Sequence, residues 1–377
     1  CEVMTDKMKV IELNCKNAEV KALLDLDLNG FPTSKCLVKK LDEALAIVKQ
    51  AEQESNECVV VIDTYFLSSI VNNKQGDTFL ALARNCKSVV AARVSPDQKG
   101  EIVRMVRAEA LKKDTYNDAL VTLAIGDGAN DVTMIKEAHI GVGIDGLEGK
   151  QAVNSSDYAI GQFKYLHRLM FVHGRWNYRR MSILILYMFY KNCLLVLPQW
   201  LLGMYSLFSG QNFYVEYPLY QLSNIAFTAF PIIFFAIFDQ DVVAEIPLQV
   251  PELYKDGNTF SIHFSVPIFW KWMAEGTWSA VVCFFFGMWA LARSPTSGNP
   301  ALPNEAGKVS DIWYIGTCVH LSVTTIQNIR LMLEVRHFNW LTTGSFVFSM
   351  AAWFVLVVFF AYVPALSFAM SSSEVSF

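Results

Sequence analysis

Leu120-Val121-Thr122-Leu123-Ala124-Ile125, followed directly by Gly126-Asp127-Gly128-Ala129-Asn130-Asp131, decides how the rest of this sequence is read. The first six residues form an apolar run of strand length. After the motif, Val132 to Ala138 alternates apolar and polar positions as the first turns of a helix do. The motif therefore sits at the C-terminal end of a predicted strand, where open α/β sheets bind their ligands. Gly126 and Gly128 let the backbone turn sharply and approach a ligand closely. Asp127 and Asp131 supply carboxylates of the hard-oxygen type that Mg²⁺ prefers, and the Asn130 amide, both donor and acceptor, can bridge to a phosphate. Gly, Asn and Asp also build ordinary turns, and Asn130 or Asp131 can simply cap the next helix. Two carboxylates and an amide gathered with two glycines at a strand end favour a phosphate and Mg²⁺ site.

The 377 residues are 53% hydrophobic with a net charge of −4. Charge is unevenly placed: 24 of the 31 Lys+Arg and 24 of the 35 Asp+Glu lie in residues 1–180. The chain thus splits near Arg180 into a charged soluble half and an apolar half. Nothing in that charge points to nucleic acid. Eight Cys without a Cys-x-x-Cys pair argue against a disulfide framework or a zinc site and suit a reducing compartment. The opening at Cys1, with no initiator Met, reads as a fragment of a longer protein.

Residues 1–57 are polar and read as a linker or insertion, with a loop at Asn29 to Pro32 and a helix from Lys39 to Glu54. Residues 58–165 alternate strands with helices. Strands are predicted at Val59 to Asp63, Ser88 to Val94, Ile140 to Ile144 and Tyr158 to Ile160, with helices at Thr78 to Cys86 and Pro96 to Leu111. That alternation predicts a Rossmann-type parallel sheet with right-handed crossovers. Pro96 suits the first helical position. Lys99, in the same first turn, opposes the helix macrodipole unless an anion sits there. It is therefore a candidate phosphate ligand, and Arg93 at the strand end a candidate nucleotide contact, each weighed against a solvated surface charge.

Residues 166–377 read as a membrane domain with about five spans, at 181–203, 219–238, 266–292, 312–333 and 341–363. Arg175, Arg179 and Arg180 crowd the start of the first span and make that end cytoplasmic; Lys255, Lys271, Arg330 and Arg336 agree, while Arg293 and Lys308 fall outside. Five spans leave the C-terminus outside, one short of an even-numbered bundle. Lys191 lies about 16 Å along the first span from Arg180 at 1.5 Å per residue, near the bilayer centre. Placing Lys there costs about 2.5–3.5 kcal/mol, and no acid is read at comparable depth to pair with it. Lys191 is therefore a functional candidate, with Asn192 and the mid-span Asn224 as co-ligands. Pro198 and Pro231 can loosen helical backbone hydrogen bonds nearby. The polar stripe His320, Thr324, Thr325, Gln327 and Asn328 is read as helix–helix hydrogen bonding. Trp270, Trp272, Trp313 and Trp340 suit an interfacial aromatic belt.

The runs RVSPDQK (93–99) and GDGANDVTMIKEAHIGVGI (126–144) resemble the second half of the phosphorylation domain of P-type ATPases. SSDYAI (155–160), FVHGRWNYRR (171–180) and YKN (190–192) resemble the phospholipid-flipping branch, the type IV P-type ATPases. The resemblance implies a haloacid-dehalogenase-like partial phosphorylation domain followed by an all-α transmembrane bundle. It implies Mg²⁺ on Asp127 and Asp131, a phosphoryl contact from Lys99, ATP as co-substrate, and Lys191 with an Asn at the lipid headgroup. It also implies phospholipid as substrate and a two-span glycosylated accessory subunit. The location implied is a multi-pass protein of the plasma membrane or of Golgi and endosomal membranes, its soluble half cytoplasmic. Three departures stand out: Thr64 where the branch has Gly, atypical residues from Asp145 to Lys150, and no Asp-Lys-Thr-Gly-Thr phosphorylation motif. The expected function is ATP-driven phospholipid translocation through an aspartyl-phosphate cycle. In that cycle Arg175 to Arg180 would act as a short rigid lever between the phosphate site and the Lys191 span. The alternatives are a cation-pump fragment, which calls for several acids within the spans, and a truncated non-catalytic membrane protein, which the missing phosphorylation motif favours.

Overall fold

The structure, a computed structural model, describes residues 8–13, 34–53, 57–112, 121–146, 149–210, 214, 220–254, 262–291 and 312–362. The loop expected at Asn29 to Pro32, Leu120 of the expected strand, and Lys255, Arg293 and Lys308 lie outside the described residues. The chain divides into two compact units, Cys1–Leu166 and His167–Phe377.

The first unit holds two three-stranded parallel sheets. One runs β1 (Lys9–Leu13), β2 (Cys58–Asp63), β3 (Ser88–Ala92), with Val10 opposite Val59 and Val60 opposite Val89. The other runs β4 (Leu123–Gly126), β5 (Ile140–Ile144), β6 (Tyr158–Ile160), with Ala124 opposite Gly141 and Val142 opposite Tyr158. Helix α1 (Ser34–Gln53) presents Leu37, Leu41, Ala44, Val48 and Ala51 at alternating four- and three-residue steps, all buried against Ile11, Leu13, Val60 and Ile62. Residues 9–13 and 34–53 are thus part of this core rather than a linker. The strand at 9–13 escapes a sequence reading because only Ile11 and Leu13 of KVIEL face inward, too short an alternation to stand out from a lysine-rich context.

Four helices then position the functional residues. Asp63 ends β2 and caps α2 (Thr64–Asn72), its Oδ1 accepting from the Phe66 N–H at 2.8 Å. Thr64, standing where the resembling branch has Gly, starts that helix and donates its hydroxyl to the Arg93 carbonyl. α3 (Gly76–Arg84) leads into β3, and α4 (Pro96–Lys112) follows it. Ser95 and Gln98 form a reciprocal capping box at the start of α4: the Ser95 N–H donates to Gln98 Oε1 at 3.0 Å, and the Gln98 N–H to Ser95 Oγ at 3.4 Å. Gln98 Nε2 also reaches the Thr64 carbonyl at 3.2 Å and Ser68 Oγ at 2.6 Å, which binds the α4 start to α2. After β4 the chain makes a 3₁₀ turn over Ala129–Asp131 before α5 (Val132–Glu137), which packs on α4.

After a short α6 (Gln151–Asn154) in the first unit, the second unit opens on a π-helical turn at Leu169–Gly174 that leads into α7 (Arg175–Tyr205), within which Arg175 to Arg180 are continuous α-helix. A π turn at Ser223–Phe227 leads to α8 (Ala229–Phe238), followed by α9 (Val266–Leu291), α10 (Ile312–Glu334) and α11 (Trp340–Tyr362). Among the described residues two helices, Tyr165–Tyr205 and Trp340–Phe359, are both long and apolar enough to cross a membrane, and Ser223–Phe238 is a shorter apolar one. The core joins Tyr187, Tyr190 and Leu194 of α7 to Phe284 of α9 and Val319 and Leu331 of α10. α9 and α10 touch closely at Gly287, where a Cβ would come within 2.3 Å of a Val319 methyl.

One end of this bundle is tied by charge. Asp239, at the C-terminal end of α8, is 2% exposed and Arg179 of α7 5%. Asp239 accepts the Arg179 guanidinium on Oδ2 and the N–H groups of Arg336 and His337 on Oδ1, at 2.8 and 3.2 Å. Arg179 reaches on to the Glu334 carbonyl at 2.7 Å, and Arg180 donates to the Asp239 carbonyl at 2.5 Å. Arg175 pairs with Asp241 at 2.9 Å. The starts of α7 and α11 and the ends of α8 and α10 therefore meet at one end, as alternating antiparallel helices require.

Candidate phosphate and headgroup sites

The candidate phosphate site is built where α4 meets the β4 turn. Lys99 Nζ lies 2.7 Å from Asp131 Oδ1, with the Asp131 side chain 14% exposed and Lys99 34%. Residues 32 apart in sequence are thus joined by a charge-assisted hydrogen bond. The capping box fixes the start of α4 and so aims Lys99. Gly126 leaves room for the carboxylate: a Cβ there would stand 2.3 Å from Asp131 Cβ and 2.7 Å from its Oδ2. That close approach, not an unusual turn, is why glycine is needed at Gly126. The chain bends at Asp127 and Gly128 into the 3₁₀ turn, closed by the Asp131 N–H on the Gly128 carbonyl at 3.2 Å, with Gly128 itself at φ −118°, a conformation open to any residue.

Asp127 is exposed, and its carboxylate has no hydrogen-bond or ion-pair partner among the described residues. Asn130 is likewise exposed on the 3₁₀ turn, its amide free of partners among those residues. Arg93 ends β3 in the left-handed region at φ +57°, its guanidinium exposed and unpartnered among the described residues. A long side chain held at positive φ is strained, and such strain collects at functional positions. Lys99 and Asp131 are thus brought together, while Asp127, Asn130 and Arg93 stand free in solvent. Among the described residues no three His, Cys, Asp or Glu side chains converge as a closed metal cage. An open pair of carboxylates nevertheless suits Mg²⁺, which takes one or two carboxylates and completes its shell with water and phosphate oxygen.

Lys191, in the second unit, is 4% exposed. Its ammonium donates to Thr228 Oγ1 at 3.3 Å and makes no ion pair among the described residues. Thr228 in turn donates to the Ser223 carbonyl at 2.9 Å, across the π turn. Pro231 supplies no N–H to the carbonyl four residues back, that of Phe227. That oxygen instead accepts from Ser349 Oγ and from Asn328 Nδ2, as the sequence reading of Pro231 anticipated.

Asn192 is exposed, about 100° round the helix from Lys191, and Asn224 is exposed on the π turn, so neither joins Lys191 in the interior. One expectation fails here. An acid does lie well inside a predicted span: Glu275 of α9, paired with Arg330 at 3.1 Å. It serves Arg330, which also lies over the Trp272 ring at 3.9 Å, rather than Lys191. The sequence reading missed Thr228, Ser223 and the Gln327 contact to Lys191, since a hydroxyl and an amide on other helices carry no signal beyond ordinary polarity.

A family model for the C-terminal region of phospholipid-translocating P-type ATPases matches residues 153–376. The probable phospholipid-transporting ATPase 5 of Arabidopsis thaliana is 35% identical over 369 residues, covering 97% of this chain and 28% of that protein. Phospholipid-transporting ATPase 10 of the same plant is 35% identical over 369 residues, 97% of this chain and 29% of its own length. Phospholipid-transporting ATPase dnf2 of Schizosaccharomyces pombe is 35% identical over 313 residues, 83% of this chain and 21% of its own length. The chain therefore spans under a third of the length of these relatives. It belongs to the phospholipid-translocating, type IV branch of the P-type ATPases, and corresponds to their C-terminal portion.

Proposed function

We propose that this chain is the working C-terminal part of an ATP-driven phospholipid translocase that cycles through an aspartyl phosphate formed on a residue outside these 377. In this reading the first unit is the second half of a haloacid-dehalogenase-like phosphorylation domain and the second unit a membrane-spanning bundle. The observation that carries it is the 2.7 Å contact between Lys99 and Asp131, which joins the RVSPDQK and GDGAND motifs at one strand end.

Asp127 and Asp131 would hold Mg²⁺, which when bound neutralises charge on the phosphoryl oxygens. Lys99 steadies one Asp131 oxygen and offers its remaining N–H groups to a phosphoryl oxygen beside it, a preorganised electrostatic contribution to in-line transfer. Asn130 can donate its amide to the same group, and the free Arg93 guanidinium suits the phosphates of ATP. In the bundle, Lys191 is a buried cation with one hydroxyl partner, matched in sign to the phosphate of a lipid headgroup. Asn192 and Asn224 remain headgroup contacts on the exposed faces of their helices rather than partners of the Lys191 ammonium. A two-span accessory subunit and a plasma-membrane or Golgi–endosomal location complete the reading, on family likeness alone.

The test is ATPase activity of the intact protein, reconstituted with a panel of purified lipids. Stimulation by one class of phospholipid headgroup is the expected result. Hydrolysis indifferent to every lipid, or stimulated by a metal cation instead, would overturn the reading.

A further inference from the structure

Helix α10 turns one face into the bundle interior, and much of its polar chemistry has no protein partner. His320 is 0% exposed, Thr324 0% and Gln327 1%. They lie at i, i+4 and i+7, one above another over about 10 Å at 1.5 Å per residue. Trp353 Nε1–H donates to His320 Nδ1 at 2.9 Å. An indole N–H only donates, so His320 Nδ1 is the bare nitrogen and the ring proton sits on Nε2. That Nε2–H is buried and unpartnered among the described residues. So are Thr324 Oγ1, Gln327 Oε1 and Ser223 Oγ. The Tyr214 ring stands 5.5 Å from that of His320.

At the far end of this face, Gln327 Nε2 donates to the Lys191 carbonyl at 2.9 Å. The Lys191 ammonium has three N–H groups, one of them used on Thr228. Donors and acceptors are therefore matched in kind but not joined: His320 Nε2–H and the spare ammonium hydrogens on one side, Gln327 Oε1 on the other, with hydroxyls able to act as either. Leaving such a group bare forfeits its hydration without a replacement, and His320, Thr324, Gln327 and Ser223 share this fate. Buried groups of this kind are ordinarily satisfied by ordered water making two to four hydrogen bonds.

We propose that the interior face of α10 between His320 and Gln327 holds a file of ordered water that ends on the Lys191 ammonium, with Gln327 as a positioning residue for that lysine. The polar stripe is then more than packing glue: its oxygen atoms hydrate a cation that has no carboxylate partner among the described residues. The presence of water does not rest on the lipid-transport reading; only its importance for a headgroup does.

Radiolytic hydroxyl-radical labelling of the intact protein in lipid nanodiscs reads bound internal water directly, without ATP or transported lipid. Labelling of His320, normalised for intrinsic reactivity, should exceed that of the equally buried Phe284 by at least several-fold. Thr324→Val should lower the His320 labelling severalfold and lower thermal resistance. Gln327→Leu should raise the half-saturating lipid concentration of the ATPase more than it lowers the maximal rate, and Gln327→Asn should restore part of the loss. His320 labelled no faster than Phe284, or Thr324→Val leaving the labelling unchanged while raising thermal resistance, would show the face to be dry and overturn the proposal. If the labelling appears while no lipid stimulates the ATPase, the water stands and the transport reading alone falls.

Discussion

Removing the Asp239 carboxylate tests how the helix bundle is held at the end that carries the arginines. Asp239 and Arg179 are 2% and 5% exposed, so neither charge has water to fall back on. Truncating one partner of such a pair costs about 3–5 kcal/mol, because the other is left buried and uncompensated. Asp239→Ala also takes the acceptor from the Arg336 and His337 N–H groups, which places it toward the upper end of that range. Asp239→Ala and Arg179→Ala should therefore each cost about 3–5 kcal/mol, while the double variant costs far less than their sum. Asp239→Leu with Arg179→Met should recover most of the stability, since well-packed apolar residues often replace a buried pair at little cost. The assay is denaturant-driven unfolding of the intact protein in nanodiscs, followed by tryptophan fluorescence. Losses that add to within about 0.5 kcal/mol would mean that the two side chains are energetically independent and that the clasp does not hold the bundle.

Two further outcomes concern the first unit. Gly126→Ala places a methyl where Asp131 now lies, 2.3 Å from its Cβ, and should displace that carboxylate from Lys99. Mg²⁺ half-saturation of the ATPase should then rise at least tenfold, and an unchanged Mg²⁺ dependence would contradict the close approach. The second is a pH effect at Glu137, whose carboxyl is held below its ordinary value chiefly by the hydrogen bond from Arg104 at 2.8 Å. A depressed carboxyl stabilises the fold above the unfolded-state value near 4.5 and loses that contribution as pH falls through the folded-state value. The stability gap between the native protein and Glu137→Gln should accordingly be small but present at pH 7, shrink below pH 4.5, and shrink again in 1 M salt. A gap that widens on acidification would refute the sign.

What could be read from the sequence was local. The strand before Asp127, the helix opening at Pro96 and the freed carbonyl behind Pro231 each follow from a few consecutive residues, and the structure contains all three. The Lys99–Asp131 contact was anticipated only as two parts of one site, Asp131 for Mg²⁺ and Lys99 for a phosphate, because no spacing rule says that α4 and the β4 turn meet. β1 was missed because two inward residues are too few to announce a strand. Asp239 read as an unremarked acid at a span end, since its partners are 60 and 97 residues away. Asn192 was grouped with Lys191 by adjacency, yet neighbours in a helix point about 100° apart and only Lys191 faces inward. The Ser95–Gln98 capping box was visible as Ser-x-x-Gln, a local signal that a search for chemistry passes over.

The most direct measurement on the intact protein is a comparison of the native chain with Lys191→Ala in two assays: phosphorylation by labelled ATP, and release of that phosphate on adding the lipid that best stimulates hydrolysis. If the phosphate pocket is coupled to the buried lysine, the variant should incorporate label as fast as the native protein and lose the lipid-stimulated release. Release that still quickens normally with lipid would contradict that coupling, since a transported headgroup would then not be sensed through Lys191.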